Sequence, residues 1–523
     1  MTESSGADPV NKRITLLIIS LMIGAAALAG ALLCEKTSDD KKVRTTLEWT
    51  DEQIMTLPYF EIVASGDENR NMPCDIKGYS IGDGFIHLVL PDTVPEKEVV
   101  VYVRDAEGND LARHVYDFTQ KVMIGPWEIV LDHHTLPSLY FESDTPGVYD
   151  AMIASDAKDI ICGGNMRICM KGERVPQGEG SVVHASLQGR GHSSWNNVTY
   201  KKSYSLRLDK AVSLLGLGKN RNWNLVGNGF DHSLIKNCAF NEISRKIGIE
   251  YQPQMHNINL YVDGVYQGVY TLTTKISVDK DRIALRPGDY MYRLDPPVPE
   301  APLLYTSTAW FKDNEPYYPV ADLVYPELPD ADLETASALL QSFITLRDDP
   351  AIPGLENMCD LRSLAKYYWI QEIAMNFDAC SCSVYFYYNG SDHKIHFGPV
   401  WDMDLTIGVT EDKQDVDFSE PTGWKIRQIG WYKALFARPE FVEAVNDVYY
   451  NGGVRSAMLS GTGRFEELRN TIGSDGDLDF LLFGHVAHTS LDYPYGDTYE
   501  EYCDNVIAFY RTRADWIDGQ MSR

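Results

Sequence analysis

The stretch "VYFYYNGSDHKIHFGPVWDMDL", Val384 to Leu405, decides how the chain is read. Apolar and aromatic residues lie on both sides of Asn389-Gly390, a dipeptide suited to a tight hairpin turn because both residues tolerate positive φ. The second strand runs on into "WDMD". In an extended backbone Asp402 and Asp404 project from one face, and Trp401 and Met403 take the other. Burying two like charges together costs on the order of several kcal/mol unless a cation sits between them. Upstream, "DLRSLAKYYWIQEIAMNFD" has helical spacing and ends on Asp378. Strands of about five residues are short enough to bring the hairpin's end back to it. Three carboxylates then gather: Asp378, Asp402 and Asp404. Magnesium is commonly held by one or two carboxylates plus substrate phosphates. Surface or structural aspartates are the competing reading of these residue types.

Further upstream lies the positive charge such a site needs. In "KKSYSLRL" the alternation puts Lys202, Tyr204, Leu206 and Leu208 on one face, and it turns Lys201 to solvent. Lys202 sits at the mouth of the apolar stripe. There it either snorkels or meets a phosphate. Arg190, in the preceding "QGRGHSSW", joins it across the cleft from the carboxylates, an arrangement of the phosphoryl-transfer kind. "DHSLIKNCAFNEISRKIG" reads as a helix with Asp231 or Ser233 as cap, Leu234, Cys238 and Ile243 on its apolar stripe, and Gly248 at its end. "INLYVDGVYQGVYTLTTKI" reads as a hairpin turning at Asp263-Gly264. From about Pro299 the pattern is mainly helical, as in "DLETASALLQSFITLRDD". Trp424 and Trp431 read as packing for this part, with carbohydrate stacking as the outside alternative. The fold class is α+β.

The N-terminal third has another character. Ile14 to Leu33 are twenty uncharged, mostly apolar residues after Lys12 and Arg13. That is long enough for a membrane-spanning helix and has the basic flank of a cytoplasmic N-terminus. The same stretch fits a cleaved signal peptide. Residues 1–40 are therefore expected to be a cytoplasmic tip with an anchor or signal segment, and the remainder exported to the membrane surface or secreted. Alternating segments such as "FIHLVLP" and "EKEVVVYVRDAEGNDLARHVYDF" predict a small β-sandwich over 41–122. A β-rich lobe over 123–300 and a mainly helical lobe over 301–523 complete the organisation.

A net charge of −28 argues against nucleic acid as partner, since phosphate backbones attract the opposite sign. It suits a soluble ectodomain or a basic protein substrate. The nine cysteines form no zinc pattern, "CSC" at Cys380 and Cys382 standing without a second cluster. Cys162 and Cys169, flanking "GGNMRI", read as free thiols or as the staple of a hairpin. His133-His134 reads as surface.

Several long strings occur in a familiar order: "GRGHSSW", "KKSYSLRLDK", "LLGLGKNRNWNLVGN", "DHSLIKNCAFNEISRKIG", "LYVDGVYQGVYTLTTKI", "NFDACSCSVYFYY" and "HFGPVWDMDLTIG". Together, over roughly residues 180–410, they resemble the spore-coat CotH family of protein kinase-like proteins. The resemblance implies an atypical two-lobed kinase fold that binds ATP and Mg2+ and phosphorylates serines of secreted or coat proteins. It implies Asp378 as the catalytic or nucleotide-site acid and Asp402 as the metal-binding aspartate with Asp404 second. Lys202 falls on the lysine of the family's "KKSY" strand and Arg190 on the arginine of its "RG" turn, and their charge and lobe position assign them to the phosphates of ATP. Many relatives carry an acid where this chain has Thr274. By analogy with the lysine–glutamate pair of ordinary kinases, Glu242 is expected to substitute. The asparagine some relatives carry after the catalytic aspartate is replaced by Cys382-Ser383. A catalytically inactive, kinase-like binding module of a cell-surface assembly is the alternative these departures raise.

Overall fold

Alternation near the N-terminus does become strand. The computed structural model describes residues 135–169, 182–191, 193–196, 198, 201–263, 265–280, 282–295, 320–327, 332–409, 412–413, 415–483, 496 and 498–522, with strand backbone between 61 and 132 and between 303 and 317. The apolar segment 14–33 and His133-His134 lie outside the described residues. None of the described helices is long and apolar enough to cross a membrane.

The chain divides into two units. One holds β1 (Glu61–Ser65), β2 (Pro73–Cys74), β3 (Gly78–Gly82), β4 (Phe85–Val89), β5 (Glu98–Arg104), β6 (Asp110–Asp117) and β7 (Glu128–Asp132). They form a four-stranded sheet in the order β2-β1-β5-β6 and a three-stranded sheet in the order β3-β4-β7. The parallel pairing of β7 with β4 carries this β region past residue 122.

The second unit begins with a closed barrel. Its strands are β8 (Ser138–Ser143), β9 (Ile161–Cys169), β10 (Val183–Gly189), β11 (Tyr204–Ser213), β12 (Lys219–Val226), β13 (Met255–Val262) and β14 (Val265–Thr274), in the order β10-β11-β12-β14-β13-β8-β9. The period of two fills the interior: Leu187, Leu206, Leu208, Trp223, Leu225, Leu260 and Leu272 are all buried there. Helix α1 (Val148–Ala154) links β8 to β9, the single turn α2 (Ser193–Asn196) follows β10, and α3 (Lys236–Ile247) follows β12. The N-cap of α3 is Ile235, which makes no side-chain cap bond, so neither Asp231 nor Ser233 is the cap. Asp231 instead reaches in from the preceding turn to accept from the Lys236 N–H at 3.0 Å, and Gly248 ends the helix at a φ of 80°. Cys162 and Cys169 sit in one nine-residue strand, β9, where Cys162 is a free thiol. Seven residues of strand separate their Cα atoms by about 23 Å, far beyond disulfide reach. The staple expected of them is excluded.

A second sheet follows, in the order β16-β19-β15-β20-β21, from β15 (Tyr290–Asp295), β16 (Leu303–Thr306), β19 (Val320–Tyr325), β20 (Val384–Asn389) and β21 (Lys394–Phe397). Two short strands, β17 (Trp310–Lys312) and β18 (Glu315–Tyr317), pair with each other. The helical part therefore starts later than Pro299, and β15 belongs with the expected hairpin β20–β21 rather than with the barrel. The helices are α4 (Leu333–Asp348), α5 (Leu355–Met358), α6 (Leu361–Ala374), α7 (Tyr432–Phe436), α8 (Pro439–Asn451), α9 (Val454–Ile472), α10 (Ser474–Phe483) and α11 (Tyr499–Met521). Asp332 and Asp360 cap α4 and α6, each accepting a backbone N–H three residues on. Helix α6 buries Leu364, Tyr367, Tyr368, Trp369, Ile370 and Ile373. At roughly 1.5–3 kcal/mol for each large apolar side chain, it is a principal anchor of this half. Trp431 is buried against Arg347 and Tyr432, and Trp424 packs on Trp369, Trp516 and Arg427. Trp431 is core, and Trp424 is partly buried against that core.

Candidate active site

Helix α6 stops at Met375, whose φ of 51° turns the chain out of the helix. Phe377 N–H then donates to Leu405 O at 3.4 Å, and Ile407 N–H to Ala374 O at 2.8 Å. These bonds lace the loop carrying Asp378 to the turn carrying Asp402 and Asp404. The Asp378 N–H is fixed in turn by Asn376 Oδ1 at 2.9 Å.

Strand β21 ends at Phe397, so "WDMD" is not extended and the shared face expected of Asp402 and Asp404 does not form. Asp402 has a φ of 62°, left-handed backbone that few residues other than glycine, asparagine and aspartate adopt. It is exposed, whereas Asp404 is buried, as are Trp401 and Met403. Although the residue is exposed as a whole, its carboxyl is set among protein atoms that take it partly out of water. That burial raises its pKa, Arg190 opposes the rise, the charge of Asp378 adds to it, and a hydrogen bond from Ser383 at 3.3 Å counters it. Asp404 is pushed up to about 8, by burial first and then by Asp402 and Asp231. Carboxyls raised this way have too little positive charge around them, the condition a divalent cation relieves. Among the described residues, no group of three or more His, Cys, Asp or Glu side chains could hold a metal ion unaided. The donor set fits a hard cation that completes its shell with phosphate oxygens and water, as magnesium does.

Arg190 lies where the sequence placed it. Its guanidinium sits 5.5 Å above the Trp401 ring, and its charge is the first to act on Asp402. Lys202 is engaged elsewhere: its ammonium donates to Trp195 O at 2.7 Å and lies 4.6 Å from the centre of that ring. Lys201, expected in solvent, is fully buried and paired with Asp479. The reason is the strand's start: β11 begins at Tyr204, so alternation cannot be extended back to the two lysines. Glu242 pairs with Arg464 at 2.7 Å and Lys246 at 3.4 Å. The lysine–glutamate pair expected from ordinary kinases is therefore not formed. Thr274 is buried, its hydroxyl accepting from the Gln254 N–H at 3.3 Å.

Three contributors are not evident from the sequence. Lys236, buried on the first turn of α3, reaches Asp404 O at 3.5 Å, Thr406 O at 3.4 Å and Asp231 Oδ1 at 4.0 Å. Beside it, Asn237 Oδ1 accepts from the Met403 N–H at 2.8 Å. The start of α3 thus grips the aspartate turn from the barrel side. A lysine at a helix N-terminus opposes the macrodipole, which was the available signal. Asp295, at the end of β15, accepts from the Ser383 N–H at 3.3 Å and pairs with Arg293 at 3.3 Å. Burial lifts its carboxyl to about 6 against Arg293, with Asp402 adding to the rise.

A barrel with the helix α3 packed beside the aspartate turn, followed by a helical part whose hairpin leads into paired aspartates, has the parts of a kinase-like protein. The chain belongs to the CotH kinase protein family, whose profile matches residues 187–517. The match runs from β10 into α11 and so takes in Arg190, Asp378, Asp402 and Asp404. Family membership implies, in general, use of ATP and a divalent metal. A search of curated proteins found no match.

Proposed function

We propose that this protein transfers the γ-phosphoryl group of ATP to serine or threonine hydroxyls of a secreted or surface protein. One observation carries the reading: backbone bonds from Phe377 to Leu405 and from Ile407 to Ala374 bind the loop of Asp378 to the turn of Asp402 and Asp404, and Arg190 lies over Trp401 beside that turn. Asp378 orients the acceptor hydroxyl and takes its proton. Asp402, with Asp404 behind it, holds Mg2+, which when bound neutralises charge on the phosphates. Arg190 steadies those phosphates from the barrel side. The apolar segment after Lys12-Arg13 supports export, as an anchor or a signal, and the net charge of −28 favours a basic acceptor. Autophosphorylation and casein labelling with Mg2+ and ATP test the reading. The wild type should label, and Asp378→Ala and Asp402→Ala should lose at least a hundredfold. Equal labelling in all three removes it.

Thr274 supports a second reading. A hydroxyl bonded to backbone replaces the acid many relatives have, which suits a non-catalytic module of a surface assembly. Calorimetry separates the two, since such a module should bind ATP weakly and without dependence on magnesium.

A further inference from the structure

The turn between Asp378 and β20 ends on a residue that has no role in the scheme above. Ser383 has a φ of 55°, a second left-handed position directly beside that of Asp402. Serine enters this region rarely, and the surrounding structure must hold it there. Two bonds do so. The Ser383 N–H donates to Asp295 Oδ1 at 3.3 Å, and the hydroxyl donates to Asp402 Oδ2 at 3.3 Å. One residue thus ties the end of β15 to the aspartate turn.

The chemistry of that hydroxyl goes further. In donating its proton to Asp402 it keeps its lone pairs as acceptors. Hard divalent cations take neutral oxygens beside carboxylates. The charged groups that act on Asp402 from other elements are Arg190 from the barrel and Asp378 from the loop after α6.

We propose that Ser383 is a positioning residue of the divalent-cation site at Asp402, holding that carboxylate in its ligating orientation and offering its own oxygen to the ion. This rests on the phosphoryl-transfer reading. The site then accepts hard, oxygen-seeking ions such as Mg2+ or Mn2+, and the side chain at 383 sets their affinity. Asparagine tolerates a left-handed φ and brings an amide oxygen. Glycine keeps the backbone and removes the oxygen.

Mn2+ binding to the full chain, followed by water-proton relaxation with and without ATP, tests this independently of turnover. Ser383→Gly should weaken Mn2+ by about 10–100-fold, the usual effect of removing a group that orients a metal ligand, without lowering the melting midpoint. Ser383→Asn should bind Mn2+ at least as tightly as the wild type. Asp402→Ala is the reference for loss of the site. If the wild type binds Mn2+, Asp402→Ala does not, and Ser383→Gly matches the wild type, the role of Ser383 is overturned while phosphoryl transfer stands. If the wild type binds no Mn2+ even with ATP, both fall together.

Discussion

At the scale of single residues, the two cations nominated for phosphate binding separate cleanly. Arg190 acts on Asp402, while Lys202 is engaged by the Trp195 carbonyl and ring. A charge-assisted hydrogen bond contributes about 1.5–3 kcal/mol. Arg190→Met should therefore weaken ATP about 10–100-fold in calorimetry, whereas Lys202→Met should stay within about twofold of the wild type. Lys236 is a different case, because its loss leaves the Asp231 carboxylate buried without its cation and the Asp404 and Thr406 carbonyls without their donor. Lys236→Met should cost about 3–5 kcal/mol in urea unfolding, before any question of activity arises. His184 gives a pH signature. Hydrogen bonds to Asp144 and then Asp209, both at 2.9 Å, raise its pKa. A raised histidine stabilises the fold below its unfolded pKa of about 6.5, and that contribution is lost as pH rises through the folded value. The imidazole is half exposed, so the amount is a few tenths of a kcal/mol, about that of a surface pair. The melting midpoint of the wild type should fall slightly more than that of His184→Gln between pH 6 and pH 9.

At the scale of elements, α10 clamps the barrel with one face. Asp475 Oδ2 accepts from the N–H groups of Thr135 at 2.9 Å and Leu136 at 2.8 Å, and from Asn259 Nδ2 at 2.9 Å. One turn on, Asp479 Oδ2 accepts from the Val269 N–H at 2.6 Å and from Lys201. Two carboxylates four residues apart thus hold the approach to β8 and strands β13 and β14. The Lys201–Asp479 pair is almost entirely out of water, so each charge depends on the other. Lys201→Met should destabilise the protein by about 3–5 kcal/mol. Adding Asp479→Asn removes the stranded charge and retains an acceptor for Val269, so the double variant should unfold at higher urea than Lys201→Met. A double variant less stable than the single one would show that the pair is not coupled. None of this was legible from "KKSYSLRL". Alternation identified Tyr204, Leu206 and Leu208 as core correctly, but its parity carries information only inside the strand, and both lysines precede it.

For the whole molecule, the sequence revealed what depends on near neighbours. The period of two in β11, the helical spacing and Asp360 cap of α6, and the β20–β21 hairpin are local patterns, and each is present. The hairpin, however, turns over residues 390–393, with Asn389 still paired to Lys394, rather than tightly at Asn389-Gly390. Barrel closure was hidden, because it depends on the parallel pairing of β8 with β13, whose partners Leu139 and Leu260 are far apart in sequence. The strands between 303 and 325 were hidden by their shortness. In the site, Asp378 and Asp402 were legible because a short hairpin must return the chain. Asp231, Lys236 and Asp295 reach the same place from α3 and β15 through tertiary packing that no local pattern records. The cores give this division a consequence. The second unit begins at Thr135 and holds a barrel core from Leu139 to Leu272 and a larger core from Leu136 to Ile517. Burial within a unit, not chain length, decides whether it folds alone. Residues 135–523 should therefore unfold in one cooperative urea transition and bind Mg2+ and ATP within about twofold of the full chain, since every residue assigned to the site lies among them. Loss of cooperativity, or a tenfold loss of nucleotide affinity, would mean that the strands β1–β7 contribute to the kinase-like unit's stability or to its site.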